Sequence, residues 1–247
     1  MHMEKKIKAV LFDVGNTLRI VIRDPQFEAD ARRQMAELLK SPLSPDELYD
    51  HLEKRYKVLR KKAKDSLVEA SEREMWTRWM LPDYPEETIA PLSGRLTRLW
   101  RDCDGRRVPR EDVTPVVKEL HRRGYKIGII ANTITETEIP DWLREDGLTE
   151  YFDPVILSSK VGIRKPNPEI YLVAARQIGA APGECAYIGD NPVRDVEGAQ
   201  AAGYGMMILL NEPDTLSKEP PTEEHRPDVT VDTLTGMLEF LPPLAGN

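Results

Sequence analysis

Two hydrophobic rhythms run along the chain. Short apolar runs without polar alternation occur at KAVLFD (8–13), KIGII (126–130), PVIL (154–157), CAYIG (185–189), MMILL (206–210) and DVTV (228–231). A strand that is apolar on both sides must be buried on both faces, as in a parallel sheet covered by helices. Between these runs, apolar residues return at helical spacing. They predict helices over 112–123, closed by Gly124, over 168–179 in PEIYLVAARQIG, and over 192–203 in PVRDVEGAQAAG. A Pro-rich loop, KEPPTEEHRP, precedes the last strand and a final helix. The expected fold class is α/β, a parallel sheet with helices on both faces.

Residues 24–104 follow the helical rhythm alone. Asp24-Pro25 reads as an N-cap with proline in the first turn, followed by Phe27, Ala31, Met35 and Leu38 on one face. Ser44-Pro45-Asp46-Glu47 is a capping box, after which Leu48, Leu52, Tyr56, Leu59 and Ala63 mark a second helix. A third starts at Ser71 with Met75, Trp76, Trp79 and Met80 apolar, and a fourth runs to about residue 102 with a break at Pro91. A strand followed by some 80 helical residues before the α/β alternation resumes predicts an all-helical domain inserted in a loop. The chain shows no internal repeat.

Composition narrows the possibilities. Of 247 residues, 40% are hydrophobic and 31% charged, enough for a sizeable core. Lys and Arg number 35 against 42 Asp and Glu, a net charge of −7, which disfavours nucleic acid as a partner. Cys103 and Cys185 cannot make a disulfide framework or a zinc site, and Cys185, inside an apolar strand, reads as an inert thiol. No apolar stretch approaches the roughly 18–20 residues that span a bilayer, and the N-terminus MHMEKKIK is too polar for a signal peptide. The expectation is a cytoplasmic protein without a membrane partner. The basic run EKRYKVLRKKAK (53–64) reads as the wet face of a helix, and Trp76 and Trp79 as helical-domain core.

In an open parallel sheet, ligands bind in the crevice at the strand carboxyl ends, so the polar residues there are the candidates. They are Asp13 after KAVLF, Asn132 after KIGIIA, Lys165 in the segment RKPNP, and Asp190 after CAYIG, with Asp195 five residues on. One by one they read as turn formers, helix caps or a solvated lysine. Taken together they outline a site: a hard cation held by Asp13 and Asp190, and an anion, a phosphate, clamped by Lys165 and Asn132. Asp13 can then accept a phosphoryl group as a nucleophile, with Mg²⁺ neutralising the repulsion between the two anions.

LFDVGNTL, IIAN, RKPNP and YIGDNPVRDVEGAQAAG, in that order, resemble the four motifs of the haloacid dehalogenase-like hydrolase superfamily. The resemblance implies a Rossmann-like core of residues 1–18 and 108–247, with a helical cap over 19–107 inserted after the first motif. It implies Asp13 as nucleophile and Mg²⁺ bound by Asp13, Asp190 and the backbone carbonyl of Gly15. Thr17 would buttress the phosphate loop, and Thr17, Asn132 and Lys165 would face the phosphate. Asp195 would hold the metal's water shell or Lys165. The implied substrate is a small phosphorylated metabolite.

Two positions depart from the phosphatase pattern of that superfamily. The acid/base aspartate two residues after the nucleophile is replaced by Gly15, and the hydroxyl residue before Asn132 by Ala131, with Thr133 as a partial substitute. Loss of a proton-transfer group removes about 10²- to 10⁴-fold in rate. The alternatives are therefore a slow phosphatase, a catalytically weak or inactive binding or regulatory protein, and two other hydrolases. Dehalogenases of the superfamily carry Tyr at this position and use no metal, which would leave Asp190 and Asp195 superfluous. Phosphonoacetaldehyde hydrolases carry Ala there and use a cap lysine as a Schiff base, for which Lys54, Lys57, Lys61, Lys62 and Lys64 are the candidates.

Overall fold

The computed structural model describes residues 7–245, so most of the polar N-terminal MHMEKKIK lies outside the described residues. Six strands form one sheet: β1 (Ala9–Phe12), β4 (Lys126–Ala131), β5 (Val155–Leu157), β6 (Cys185–Gly189), β7 (Met206–Leu210) and β8 (Val229–Val231). Their order is β5-β4-β1-β6-β7-β8, and every neighbouring pair is parallel. All six are the apolar runs. Ala9, Leu11 and Tyr187 pack into one core layer, while Val10, Phe12 and Ile188 pack into the other. Alternate side chains of the central strands β1 and β6 thus enter opposite, equally buried layers, which is why those runs lack polar alternation.

The chain runs from β1 outward through β4 to β5, then crosses back to β6 beside β1 and continues the other way. That reversal makes the carboxyl ends of β1 and β6 a topological switch point, where a crevice opens. Asp13 follows β1 directly and Asp190 follows β6 directly.

Residues between β1 and β4 build the helical part. The Pro25–Leu39 helix is capped by Asp24, whose side chain accepts from the Phe27 amide, and the Pro45–Ser66 helix by the full Ser44–Glu47 capping box. Ser71 accepts from the Glu74 amide, but the third helix relaxes into a π-helical turn over Met75–Met80. The break at Pro91 is borne out: a 3₁₀ turn, Ala90–Leu92, separates Glu86–Ile89 from Ser93–Asp102. Met35, Leu52, Trp76, Leu96 and Trp100 share a third apolar cluster, separate from the two sheet layers. Trp76 is fully buried and donates its indole N–H to Thr97 Oγ1 at 2.8 Å.

Four features differ from expectation. Arg19–Ile22 (β2) and Arg106–Pro109 (β3) form an antiparallel ribbon where the chain leaves and re-enters the α/β part. RRVP is charged and ends in proline, and it becomes a strand only because β2 lies beside it. A helix at Glu138–Glu145 follows β4, and the segment after β8 is a 3₁₀ turn, Thr235–Glu239, instead of an α-helix. The single helix expected over 192–203 opens as a π-helical turn, Pro192–Glu197, before Gly198–Ala201. Among the described residues, no helix is long and apolar enough to cross a membrane.

Candidate active site

Asp13, Asp190 and Asp195 are all buried, and one carboxylate oxygen of each lies within 4.8 Å of the others. Lys165, only 2% exposed, lies against two of them, Asp13 and Asp195. Its ammonium donates to Asp13 Oδ1 at 2.7 Å, Asp195 Oδ1 at 2.6 Å and the Tyr187 hydroxyl at 2.7 Å, which uses all three of its N–H bonds. Burial pulls the ammonium down, but Asp13 and Asp195 outweigh it and hold Lys165 above its ordinary value. Burial raises Asp13 more than Lys165 lowers it. Asp190, pushed up by burial and then by the charges of Asp13 and Asp195, reaches about 6.

The strand ends position these groups. Asp13 N donates to Ile188 O at 2.9 Å, which extends the β1–β6 ladder up to the acid. Asp195 folds back so that its Oδ2 accepts from the Asn191 amide at 3.0 Å. A Cβ on Gly189 would overlap the Asp195 carboxylate, so glycine is required at the end of β6. After Asp13 the chain turns sharply: Leu18 N and Arg19 N both donate to Val14 O at 2.9 Å, and Asn16 takes the left-handed conformation at φ 57°. Gly15 is exposed, and among the described residues nothing lies within 4 Å of where its Cβ would be.

Asn132 behaves differently from its expected role. Its amide clasps the Lys165 backbone at both ends, donating to Lys165 O at 3.0 Å and accepting from Lys165 N at 2.8 Å. The side chain therefore fixes the loop that aims Lys165, and it also lines the cleft beside Asp13. Thr17 is fully buried and its Oγ1 has no partner among the described residues. Thr133 N donates to Ser158 Oγ, while its own hydroxyl accepts from Thr135 N at 3.2 Å.

Three contributors escaped the sequence reading. Tyr187 anchors Lys165 from below, donates to Ile130 O at 3.1 Å, and burial holds its phenol well above its ordinary value. A tyrosine in an otherwise apolar strand was the signal available. Thr215 donates to Asp190 Oδ2 at 2.5 Å, and Asn16 donates to the same oxygen at 3.3 Å. Asp190 Oδ1 is then left buried and without a partner among the described residues. Such an orphaned carboxylate oxygen, facing two further carboxylates, fits a hard divalent cation with oxygen ligands.

Both cysteines are buried, and burial pushes each thiol up to about 12, so neither is a nucleophile. The five candidate Schiff-base lysines, Lys54, Lys57, Lys61, Lys62 and Lys64, are all exposed. None is buried, as a Schiff-base lysine must be.

Residues 7–203 match the haloacid dehalogenase-like hydrolase family. The chain is 28% identical over 247 residues to the glyceraldehyde 3-phosphate phosphatase of Methanopyrus kandleri, with 97% of this chain and 99% of that one covered. It is 33% identical over 131 residues to the pyrophosphatase PpaX of Bacillus cereus, covering 53% of this chain and 58% of that one. A solved structure, the 2-haloacid dehalogenase from Pseudomonas syringae, superposes with a TM-score of 0.68 at 22% identity over 95% of this chain and 98% of that one. That likeness establishes a shared fold.

Proposed function

This chain belongs to the haloacid dehalogenase-like hydrolase family, and from that membership we propose a Mg²⁺-dependent phosphatase acting on a small phosphorylated metabolite through an aspartyl-phosphate at Asp13. A phosphatase-type hydrolase is what its named relatives support. The observation that carries the finer reading is the buried group of Asp13, Asp190 and Asp195 around Lys165, with Asp190 Oδ1 unpartnered. Three carboxylates against the Lys165 ammonium and the neighbouring Arg194 guanidinium still leave excess negative charge, which a divalent cation offsets.

Asp13 and Asp190 would hold the cation, together with the Gly15 carbonyl, and the cation would supply charge neutralisation as two anions approach. Lys165 favours the ionised form of Asp13 against burial and aims it, and its charge is available to the phosphoryl oxygens. Asp13 Oδ attacks phosphorus, the ester oxygen leaves, and water then attacks the acyl phosphate, returning Asp13 and releasing phosphate. With glycine at position 15 the leaving oxygen has no side-chain acid there, so substrates with good leaving groups turn over best. In this reading residues 19–107 act as a cap over the cleft, with the β2–β3 ribbon as its hinge.

Gly15 and Ala131 favour one second reading, a catalytically weak member that binds a phosphorylated ligand. Hydrolysis of an aryl phosphate with Mg²⁺, with EDTA and by Asp13→Asn separates the two. Turnover lost in both controls supports the phosphatase, and no turnover with Mg²⁺ sinks it.

A further inference from the structure

Beside Asp13 lies a cleft of about 110 Å³ lined by three arginines, Arg19, Arg101 and Arg107. In the β2–β3 register Val21 faces Arg107 and Arg19 faces Pro109, so Arg19 and Arg107 share one face of the ribbon. Arg101 comes from the last turn of the Ser93–Asp102 helix. Asn132, Thr133 and Trp142 also line the cleft.

Two of the three guanidinium groups are neutralised inside the protein. Arg101 Nε donates to the buried Glu138 carboxylate at 2.6 Å. Arg19 pairs with Asp146 through Nη1, lies 4.4 Å over the Trp142 ring, and gives Nη2 to Arg107 O at 3.1 Å, while its Nε is buried without a partner among the described residues. Arg107 is the exception. Its side chain is only 11% exposed, yet its closest carboxylate among the described residues is Asp104, 3.7 Å away on a side chain that is 60% exposed. Its hydrogen bonds go to the carbonyls of Arg101 at 2.6 Å and Gly105 at 3.5 Å. Burial and the neighbouring Arg101 pull the guanidinium down to about 10 against the opposing charges of Glu138, Asp104 and Asp102, which leaves it cationic at neutral pH.

A buried cation whose nearest carboxylate is 3.7 Å away and solvent-exposed is poorly compensated, and one lining the same cleft as a catalytic carboxylate is placed to take an anion from the ligand. We propose that Arg107, backed by Arg19 and Arg101, is an anion subsite for a carboxylate of the substrate, making the substrate class small phosphomonoesters that carry a carboxylate a few carbons from the phosphate. The planar fork of a guanidinium suits a carboxylate bidentately. With the phosphoryl group at Asp13, a cleft this small has room for a short chain ending in a carboxylate better than for a second phosphoryl group. The inference rests on the phosphatase reading for its phosphate end only.

Binding of two non-hydrolysable phosphonates tests it: 3-phosphonopropionate and propylphosphonate, which differ in the carboxylate, titrated by calorimetry with Mg²⁺ present. The wild type is expected to bind the carboxylated probe at least about tenfold tighter. Arg107→Met, which keeps the stem and removes the charge, is expected to erase that preference, and Arg107→Lys to restore part of it. Equal binding of both probes by the wild type, binding of neither, or a preference that survives Arg107→Met overturns the subsite. Because this readout needs no turnover, a preference without aryl phosphate hydrolysis fails the phosphatase reading alone, and hydrolysis without a preference fails the subsite alone.

Discussion

Lys165 Nζ lies 2.7 Å from Asp13 Oδ1, and the same ammonium holds Asp195 at 2.6 Å. One buried cation therefore orients two of the three clustered carboxylates, while the third, Asp190, is oriented by Thr215 and Asn16. The division leaves Asp190 Oδ1 as the unused ligand atom. Stability and metal affinity are thereby tied to the same four side chains.

Removing the cation exposes that tie. In Lys165→Met the Asp13 and Asp195 carboxylates stay buried without their partner, which costs about 3–5 kcal/mol. Urea unfolding at neutral pH in EDTA should show that loss, and Mg²⁺ should recover part of it. A variant as stable as the wild type would mean that the buried pair is not ionised as described.

Tyr187→Phe removes the third acceptor of Lys165, leaving one N–H unsatisfied, and the hydroxyl that donates to Ile130 O, a loss of about 1–3 kcal/mol. The aryl phosphatase rate should fall less than in Lys165→Met, since both carboxylates keep their bonds. Steady-state rates of the two variants, set beside their unfolding curves, check the order.

Gly15→Asp should be well tolerated, because the new Cβ meets nothing within 4 Å among the described residues. If Gly15 is what limits turnover, the variant gains about 10²- to 10⁴-fold on alkyl phosphates, whose poor leaving groups need an acid. The gain on an aryl phosphate should be much smaller. An unchanged rate on both substrates would show that proton transfer comes from elsewhere.

Asp190 sets a pH dependence for the metal. Its carboxyl rises from 3.8 to about 6 on folding, so between those values the folded metal-free protein holds a proton that the unfolded chain has released. Metal-free stability from this group is thus full below the lower value and declines as pH rises through the upper one. A divalent cation competes with that proton, so the Mg²⁺-induced rise in Tm should be small near about pH 5 and large near about pH 7.5. Thermal melts with and without Mg²⁺ measure it, and a shift independent of pH would contradict the assignment of Asp190 as a ligand.

Trp76 tests the helical part independently of the site. It is fully buried among Met35, Leu52 and Trp100, and Trp76→Ala is expected to cost about 3–5 kcal/mol. Circular dichroism melts should register that loss. A change below about 1 kcal/mol would mean the cluster repacks.

The sheet was legible because its signal is local. An apolar run such as CAYIG states its burial on both faces in five consecutive residues. The capped helices at Pro25 and Pro45 were legible for the same reason, their caps and faces lying within a single turn or stripe. The β2–β3 ribbon was not, since its two strands are some 80 residues apart and each finds its partner only in the fold. The order of the acidic and basic motifs also brought out Asp13, Lys165, Asp190 and Asp195 before any geometry was in hand.

What the sequence determined by itself was the kind of sheet, the capped helices and which charged side chains end the strands, because periodicity, capping and strand-end chemistry act over a few residues. Tertiary structure decided how those side chains are used. Asn132 turns to clasp the Lys165 backbone, Tyr187 rises beneath the ammonium, Thr215 takes one oxygen of Asp190, and Arg107 is buried with its nearest carboxylate 3.7 Å away and exposed. Each of these depends on desolvation and on partners distant along the chain, and both come into being only when the layers close.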